Sequence, residues 1–328
     1  MAGRALAFSD AAIIRMGRED FVPVAMDDWY QRRRQDAEGK FFISVADQGP
    51  RRGNGTRQGI YCLTPSGKLL AYKNAGQNAD VMREVFQEGL RKWQRLPEEE
   101  RRPGAITVGE HGPLDARFTR QPPAGGLIVK VHGRLLEKAP GGKFTTASVK
   151  TGAGDEASRD HLWLTEAEWR SLVPVAVQAG AQFAVPARIA ERIARFHLAD
   201  DTRGEPNFWA RAEVRTCEMK LTVESATAEQ VRLRLDGAVL LQSQGQRGER
   251  GYDARLLGYL HYDAQKKTLD RFDLVALGEH WGEGNFTGPA RPGRTPLGKT
   301  FELVTGRAPA DLIAPQAARD WGEYLGGN

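Results

Sequence analysis

The segment Phe196-His197-Leu198-Ala199-Asp200-Asp201-Thr202-Arg203-Gly204-Glu205-Pro206 packs a histidine, three carboxylates and an arginine into a few consecutive positions. Histidine is the usual general base near neutral pH, and a nearby carboxylate can orient its ring. Carboxylate oxygens on a glycine-containing loop also suit a hard divalent cation such as calcium, which makes Asp200, Asp201 and Glu205 candidate metal ligands, although their spacing is not that of an EF-hand loop. A second group, Gly278-Glu279-His280-Trp281-Gly282-Glu283-Gly284-Asn285, sets a histidine, a tryptophan and two carboxylates among glycines that let a ligand approach the backbone.

Taken together these residues suggest a hydrolase of a small neutral ester or lactone. His197 or His280 would activate water, while Glu279, Trp281, Glu283 and Arg203 would line the binding site. No nucleophilic serine stands out, so activated water is preferred to a covalent route. Each group also has a plainer reading. His197 can simply meet a helix C-terminus while Asp201 pairs with Arg203, and Trp281 can simply cover a sheet. Asp160 and His161 are adjacent on a strand, so they point to opposite faces and are not expected to form a dyad. His261 alternates with Leu260 and Tyr262 and reads as an outward strand residue.

The elements that must position these residues follow from periodicity. In the second half, Cys217, Met219, Leu221 and Val223 alternate with polar residues, as do Val231, Leu233 and Leu235, then Leu256 to Tyr262, then Phe272, Leu274 and Ala276. Successive period-two segments argue for an antiparallel sheet with one buried face, a curved meander or partial barrel. Thr165 followed by Glu168 is a capping box that starts a helix, and Pro186 opens another whose stripe is Ile189, Ile193 and Phe196.

In the first third, Ser9 or Asp10 caps a short helix that ends at Gly17, and Phe21 to Met26 reads as a buried strand. Phe41 to Val45 reads as a second strand. Ile60 to Leu63 and Lys68 to Tyr72 form a hairpin around Thr64-Pro65-Ser66-Gly67. Val81, Met82, Val85, Phe86, Leu90, Trp93 and Leu96 mark an amphipathic helix that Pro97 stops. The strand pair Gly59-Ile60-Tyr61-Cys62-Leu63 and Lys68-Leu69-Leu70, followed by that helix, resembles the end of a thioredoxin-like fold over residues 1 to about 100. The redox CxxC of that family is missing, as is its cis-proline, so the resemblance implies a degenerate module without dithiol activity.

The fold class expected is therefore α+β. Residues 1–104 would form the thioredoxin-like domain, 105–158 a Pro- and Gly-rich boundary with the strand Leu127 to Val131 and a mobile stretch Gly152 to Ser158, and 159–328 the domain with the antiparallel sheet. A length of 328 residues agrees with about two domains. The 40% hydrophobic and 27% charged residues exclude wholesale disorder.

Charge is uneven. Residues 1–150 carry 25 basic against 17 acidic side chains, a balance of +8 within a chain of net +5. Arg32-Arg33-Arg34 and Arg51-Arg52 with Arg57 could meet phosphates, but no aromatics interleave with them as a single-strand nucleic-acid groove requires, so no nucleic-acid partner is expected. P-loop, GxSxG and HExxH motifs are absent, and no nucleotide cofactor is expected. Cys62 and Cys217 are expected to pack as reduced small hydrophobes. Met1 to Asp20 does not read as a signal peptide and no apolar run approaches a membrane span, so no membrane partner is expected and the default compartment is the cytoplasm. The rival to the hydrolase is a non-enzymatic protein that binds a small ligand or another protein.

Overall fold

The computed structural model describes residues 8, 10–53, 55–74, 79–107, 109–110, 112–146, 158–174, 178–205, 207–245 and 248–326. The chain divides into two compact units, Gly3–Arg120 and Gln121–Asn328. The fold is α+β with a large antiparallel sheet.

In the first unit, Asp10 caps α1 (Ala11–Glu19) by accepting from the amides of Ala12 and Ile13. The helix runs through Gly17, which the sequence suggested as its end. Phe21 to Met26 is not a buried strand. It forms neither strand nor helix and pairs with no strand among the described residues, with Val22 and Val24 exposed at 90% and 71%. A short helix α2 (Asp28–Gln31) follows.

Phe41 to Val45 is also not a strand: it lies inside the helix α3 (Ala37–Ala46). The carboxylate of Asp36 caps it at Gly39, and Gly39, Phe42, Val45 and Ala46 fall on one buried face at spacings of three and four. The unbroken apolar run concealed that period, because a short apolar segment cannot distinguish strand from helix.

The hairpin forms as expected, with β1 (Ile60–Leu63) antiparallel to β2 (Leu69–Lys73) and Cys62 opposite Ala71. Gly67 closes its turn at φ +85°, a conformation that favours glycine. The amphipathic helix α4 (Ala79–Gln94) lays Met82, Val85 and Phe86 on Cys62, Leu70 and Ala71, and Ile13 of α1 completes the core. Gly89 permits this close packing, since a Cβ there would stand 2.7 Å from Cys62 Cβ. A short helix α5 (Glu98–Arg101) follows.

The second unit contains a sheet of nine strands among the described residues. These are β3 (Leu127–Lys138), β4 (Phe144–Thr146), β5 (Ser158–Leu164), β6 (Gln182–Ala184), β8 (Val214–Ala226), β9 (Gln230–Gly245), β10 (Gly248–Asp263), β11 (Thr268–Trp281) and β13 (Thr295–Leu303). Their order is β4-β3-β13-β11-β10-β9-β8-β6, with β5 also paired to β3, and every pairing is antiparallel. A separate two-stranded pair joins β7 (Gly204–Glu205) to β12 (Phe286–Thr287).

The alternating runs β8 to β11 were legible, although the strands extend well beyond the alternating residues. The Leu127 to Val131 strand belongs to this sheet, through β13 on one side and β5 on the other. All but the last residue of the stretch Gly152 to Ser158 lies outside the described residues.

The capping box is present: Thr165 Oγ1 accepts from the Glu168 amide and Glu168 accepts from the Thr165 amide, starting α6 (Glu166–Ser171). Pro186 precedes α7 (Ala187–Arg192), which continues into a π-helical turn over Ile193–His197. Ile189, Ile193, Ala194 and Leu198 pack with the buried face of the sheet in one core. Near the C-terminus a short helix α8 (Trp321–Tyr324) carries a fully buried tyrosine, Tyr324.

Candidate functional site

The π turn inserts an extra residue per turn, a feature that often marks functional sites. Here it ends in a buried His197, and the chain leaves through Leu198 into the acidic loop. His197 Nε2 is 2.9 Å from Tyr324 Oη. That hydroxyl also accepts from the Trp163 amide, so Tyr324 joins the β5 backbone to the His197 ring. Nδ1 of His197 then faces Asp160 Oδ2 at 3.1 Å, an ion-pair approach out of line for a well-aligned hydrogen bond. Asp160 also accepts from the Gln316 amide. Burial works against ionisation of Asp160, but the contact with His197 and the backbone donors overcome it, and its carboxyl stays below the ordinary range. Asp160 and His161 do not pair as a dyad: Asp160 faces His197, a partner from a different element.

Asp200 accepts from the amide and hydroxyl of Thr202 and from Arg203 Nε. The remaining Arg203 donors reach the carbonyls of Gly288 and Gly282, which ties the acidic loop to the glycine-rich loop after β11. His280, from the buried face of β11, holds Nδ1 3.9 Å from Asp200 Oδ2, too far for a hydrogen bond but close in charge. Burial pushes the His280 imidazole down to about 4, against the opposing pull of Asp200, and Arg203, Arg250 and Lys299 add to the depression. At neutral pH the ring is uncharged. Burial also resists ionisation of Asp200, yet at the acid pH where it would take a proton the charges of His280 and Arg203 hold it well below the ordinary range.

Asp201, the next residue, turns the other way. It binds Lys299 Nζ and the Ser158 hydroxyl on the same oxygen. Lys299 is only 1% exposed. Gly133 makes room for both head groups, since a Cβ there would lie 2.5 Å from Ser158 Oγ and 2.6 Å from Lys299 Nζ. Neither Lys299 nor Ser158 was singled out from the sequence. The signal was present in the run Leu297, Lys299, Phe301, where a lysine occupies a period-two position otherwise held by buried apolar residues. Tyr324 carried no comparable signal.

The residues read as a metal set do not converge. Asp200 pairs with Arg203, Asp201 with Lys299, and Glu205 with Arg319. Among the described residues no group of three His, Cys, Asp or Glu side chains gathers as a metal set. The residues read as a binding set are also divided. Glu279 is exposed and pairs with Lys138 at 3.7 Å. Trp281 is buried and donates to Glu249, with the Arg294 guanidinium stacked on its ring. Glu283 accepts from the Ala290 amide, and Arg203 is buried in the loop contacts already described. His197 stands against Asp160 and Tyr324 while His280 stands near Asp200, with no contact joining the two groups among the described residues, and each ring is covered, at 2% and 6% exposure.

The open space lies elsewhere in this unit. A cleft of about 940 Å³ runs between α7 and strands β8 to β10. Val185, Ala190, Met219 and Leu256 give it apolar walls, and Arg211, Glu218, Lys220 and Arg255 charge its margin. Gly237 and Ala238 keep side-chain bulk out of it. Cys217 also lines it, with its thiol pushed by burial up to about 11, so it is not a thiolate nucleophile at neutral pH. Cys62, in the other unit, is buried and likewise raised to about 11.

No protein-family model, curated protein or solved structure matches this chain. No helix among the described residues is long and apolar enough to cross a membrane.

Proposed function

We propose that the second unit is a non-enzymatic binding module for an amphipathic small molecule, held in the cleft between α7 and β8 to β10. The observation that carries this reading is the cleft itself, whose roughly 940 Å³ falls in the range of small-molecule sites. An apolar body would lie on Val185, Met219 and Leu256, and a charged group would reach Arg211 or Arg255 at the margin. His197, His280, Asp160, Asp200, Asp201 and Lys299 do not line this cleft, which favours binding over turnover.

The test uses the fluorescent amphiphile anilinonaphthalene sulfonate as probe. Saturable one-site binding is expected, and Ala187→Trp, an exposed substitution at the mouth, should abolish it without lowering Tm. Absence of saturable binding in the wild type, or full retention in the variant, would remove the cleft from consideration.

A second reading, the water-activating hydrolase, is favoured by one observation: both His197 and His280 stand against a carboxylate, at 3.1 Å and 3.9 Å. It requires the covered rings to become accessible to substrate. A panel of ester and lactone substrates, with and without chelator, decides it; turnover that is unchanged in both His197→Ala and His280→Ala would end this reading. The thioredoxin-like character of the first unit is likewise our proposal, supported by the hairpin β1–β2 and the helix α4 that covers it.

A further inference from the structure

The two arginine runs of the first unit, far apart in sequence, come together. Arg32 and Arg34 from the first run and Arg57 from the second line one concavity of about 490 Å³ with Lys40. Its floor is a single face of α3, where Lys40, Ile43, Ser44 and Asp47 follow at helical spacing. Four cations thus face the space against one carboxylate, Asp47, and that carboxylate is occupied by Arg57 at 2.9 Å. The other acids that balance these charges, Asp28, Asp36 and Glu38, stand outside the lining.

The cations fall into two kinds. Arg34 and Arg57 are buried and fixed: Arg34 donates to both oxygens of Asp36, and Arg57 donates twice to Asp47. Arg32 and Lys40 have capacity left. The Arg32 guanidinium makes no hydrogen bond among the described residues; its Nε is buried, with Asp28 the nearest acid at 3.7 Å and outside the lining, so its terminal nitrogens are the donors with capacity left. Lys40 is exposed and forms no ion pair among the described residues. The Ser44 hydroxyl and Gln35 amide add neutral polar groups.

We infer that this concavity is an oxyanion site for a small molecule bearing a phosphate or pyrophosphate group. The ion-paired guanidinium groups of Arg34 and Arg57 fix the shape of the wall, and the terminal nitrogens of Arg32 beside the unpaired ammonium of Lys40 supply donors and positive charge that suit the tetrahedral oxygens of a phosphoryl group. The space is concave and of small-ligand size, whereas a nucleic-acid backbone needs an open track with stacking aromatics, which this lining lacks.

The test is calorimetric titration of the full chain with pyrophosphate and, separately, inorganic phosphate at low ionic strength. One-site binding is expected, weakened about tenfold or more by Arg32→Gln and by Lys40→Gln, as loss of a charge-assisted contact implies, and weakened also by added salt. Arg102→Gln, at an exposed i,i+4 pair with Glu98 outside the cavity, should leave binding unchanged. Unchanged Tm in Lys40→Gln separates lost binding from lost fold. No saturation by either anion, equal affinity in both cavity variants and wild type, or an equal loss in Arg102→Gln would overturn the site. Tighter binding of a single-stranded oligonucleotide that displaces pyrophosphate would overturn the small-molecule assignment.

Discussion

Lys299 and Asp201 form an ion pair on the buried side of the sheet, with the ammonium side chain 1% exposed and the Ser158 hydroxyl on the same carboxylate oxygen. A buried charge that loses its partner keeps its desolvation cost, so Lys299→Met should destabilise the protein by about 3–5 kcal/mol, and adding Asp201→Asn should recover a large part of that. Urea unfolding of the single and double variants measures it. A single variant within about 1 kcal/mol of wild type would mean that the pair is not closed in solution.

Acid should weaken the fold through His280. Its imidazole is held at about 4 in the folded state, whereas an unfolded chain titrates near 6.5, so between these values the unfolded state binds the extra proton. The stabilisation is complete above about pH 6.5 and is lost as pH falls toward 4, amounting to about 3 kcal/mol for a shift of this size. His132 and His161 are also depressed, chiefly by burial, and act in the same direction. Denaturant midpoints from pH 4.5 to 7.5 should therefore slope upward, and the slope should be shallower in His280→Gln. An identical slope in that variant would place the titration elsewhere.

Tyr324→Phe tests the link between α8 and the π turn. It removes the acceptor of the Trp163 amide and the hydrogen-bond partner of His197 Nε2 together, leaving two buried polar groups without that contact at a cost of about 1–3 kcal/mol. Hydrogen exchange should accelerate at the Trp163 amide more than at amides of the β10–β11 ladder. Uniform acceleration would indicate global destabilisation in place of a broken link.

Two glycines should respond in opposite ways to alanine. Gly17 lies inside α1 with nothing within 4 Å of an added Cβ, so Gly17→Ala should stabilise by about 0.5–1 kcal/mol. At Gly278 the added Cβ would strike the backbone of Asp253 and Ala254 on β10, which cannot turn aside, and Gly278→Ala should cost about 1–3 kcal/mol. Thermal unfolding of both variants checks the pair, and a neutral Gly278→Ala would show that the two strands can separate locally at low cost.

Sequence periodicity was sufficient wherever one local period decided the structure. The alternation of β8 to β11, the Thr165–Glu168 capping box, the β1–β2 turn and the stripe of α4 are all short-range patterns, and a backbone with a fixed period of two or 3.6 must express them. The apolar runs at residues 21–26 and 41–45 were misread because an unbroken apolar run shows no period in its residue types. The Asp36 cap and the packed face of α3 decided the second, and the absence of a pairing partner among the described residues decided the first. The polar chemistry was legible only as residue types. His197 and His280 were visible, but their contacts with Tyr324, Asp160 and Asp200, and the Lys299–Asp201–Ser158 contact, join positions up to 127 residues apart. Which carboxylate meets which cation depends on strand register and on the path of the loop from Leu198 to Glu205, and neither is encoded locally. Tertiary structure therefore turned a proposed metal loop into separate ion pairs, and drew two arginine runs into one concavity.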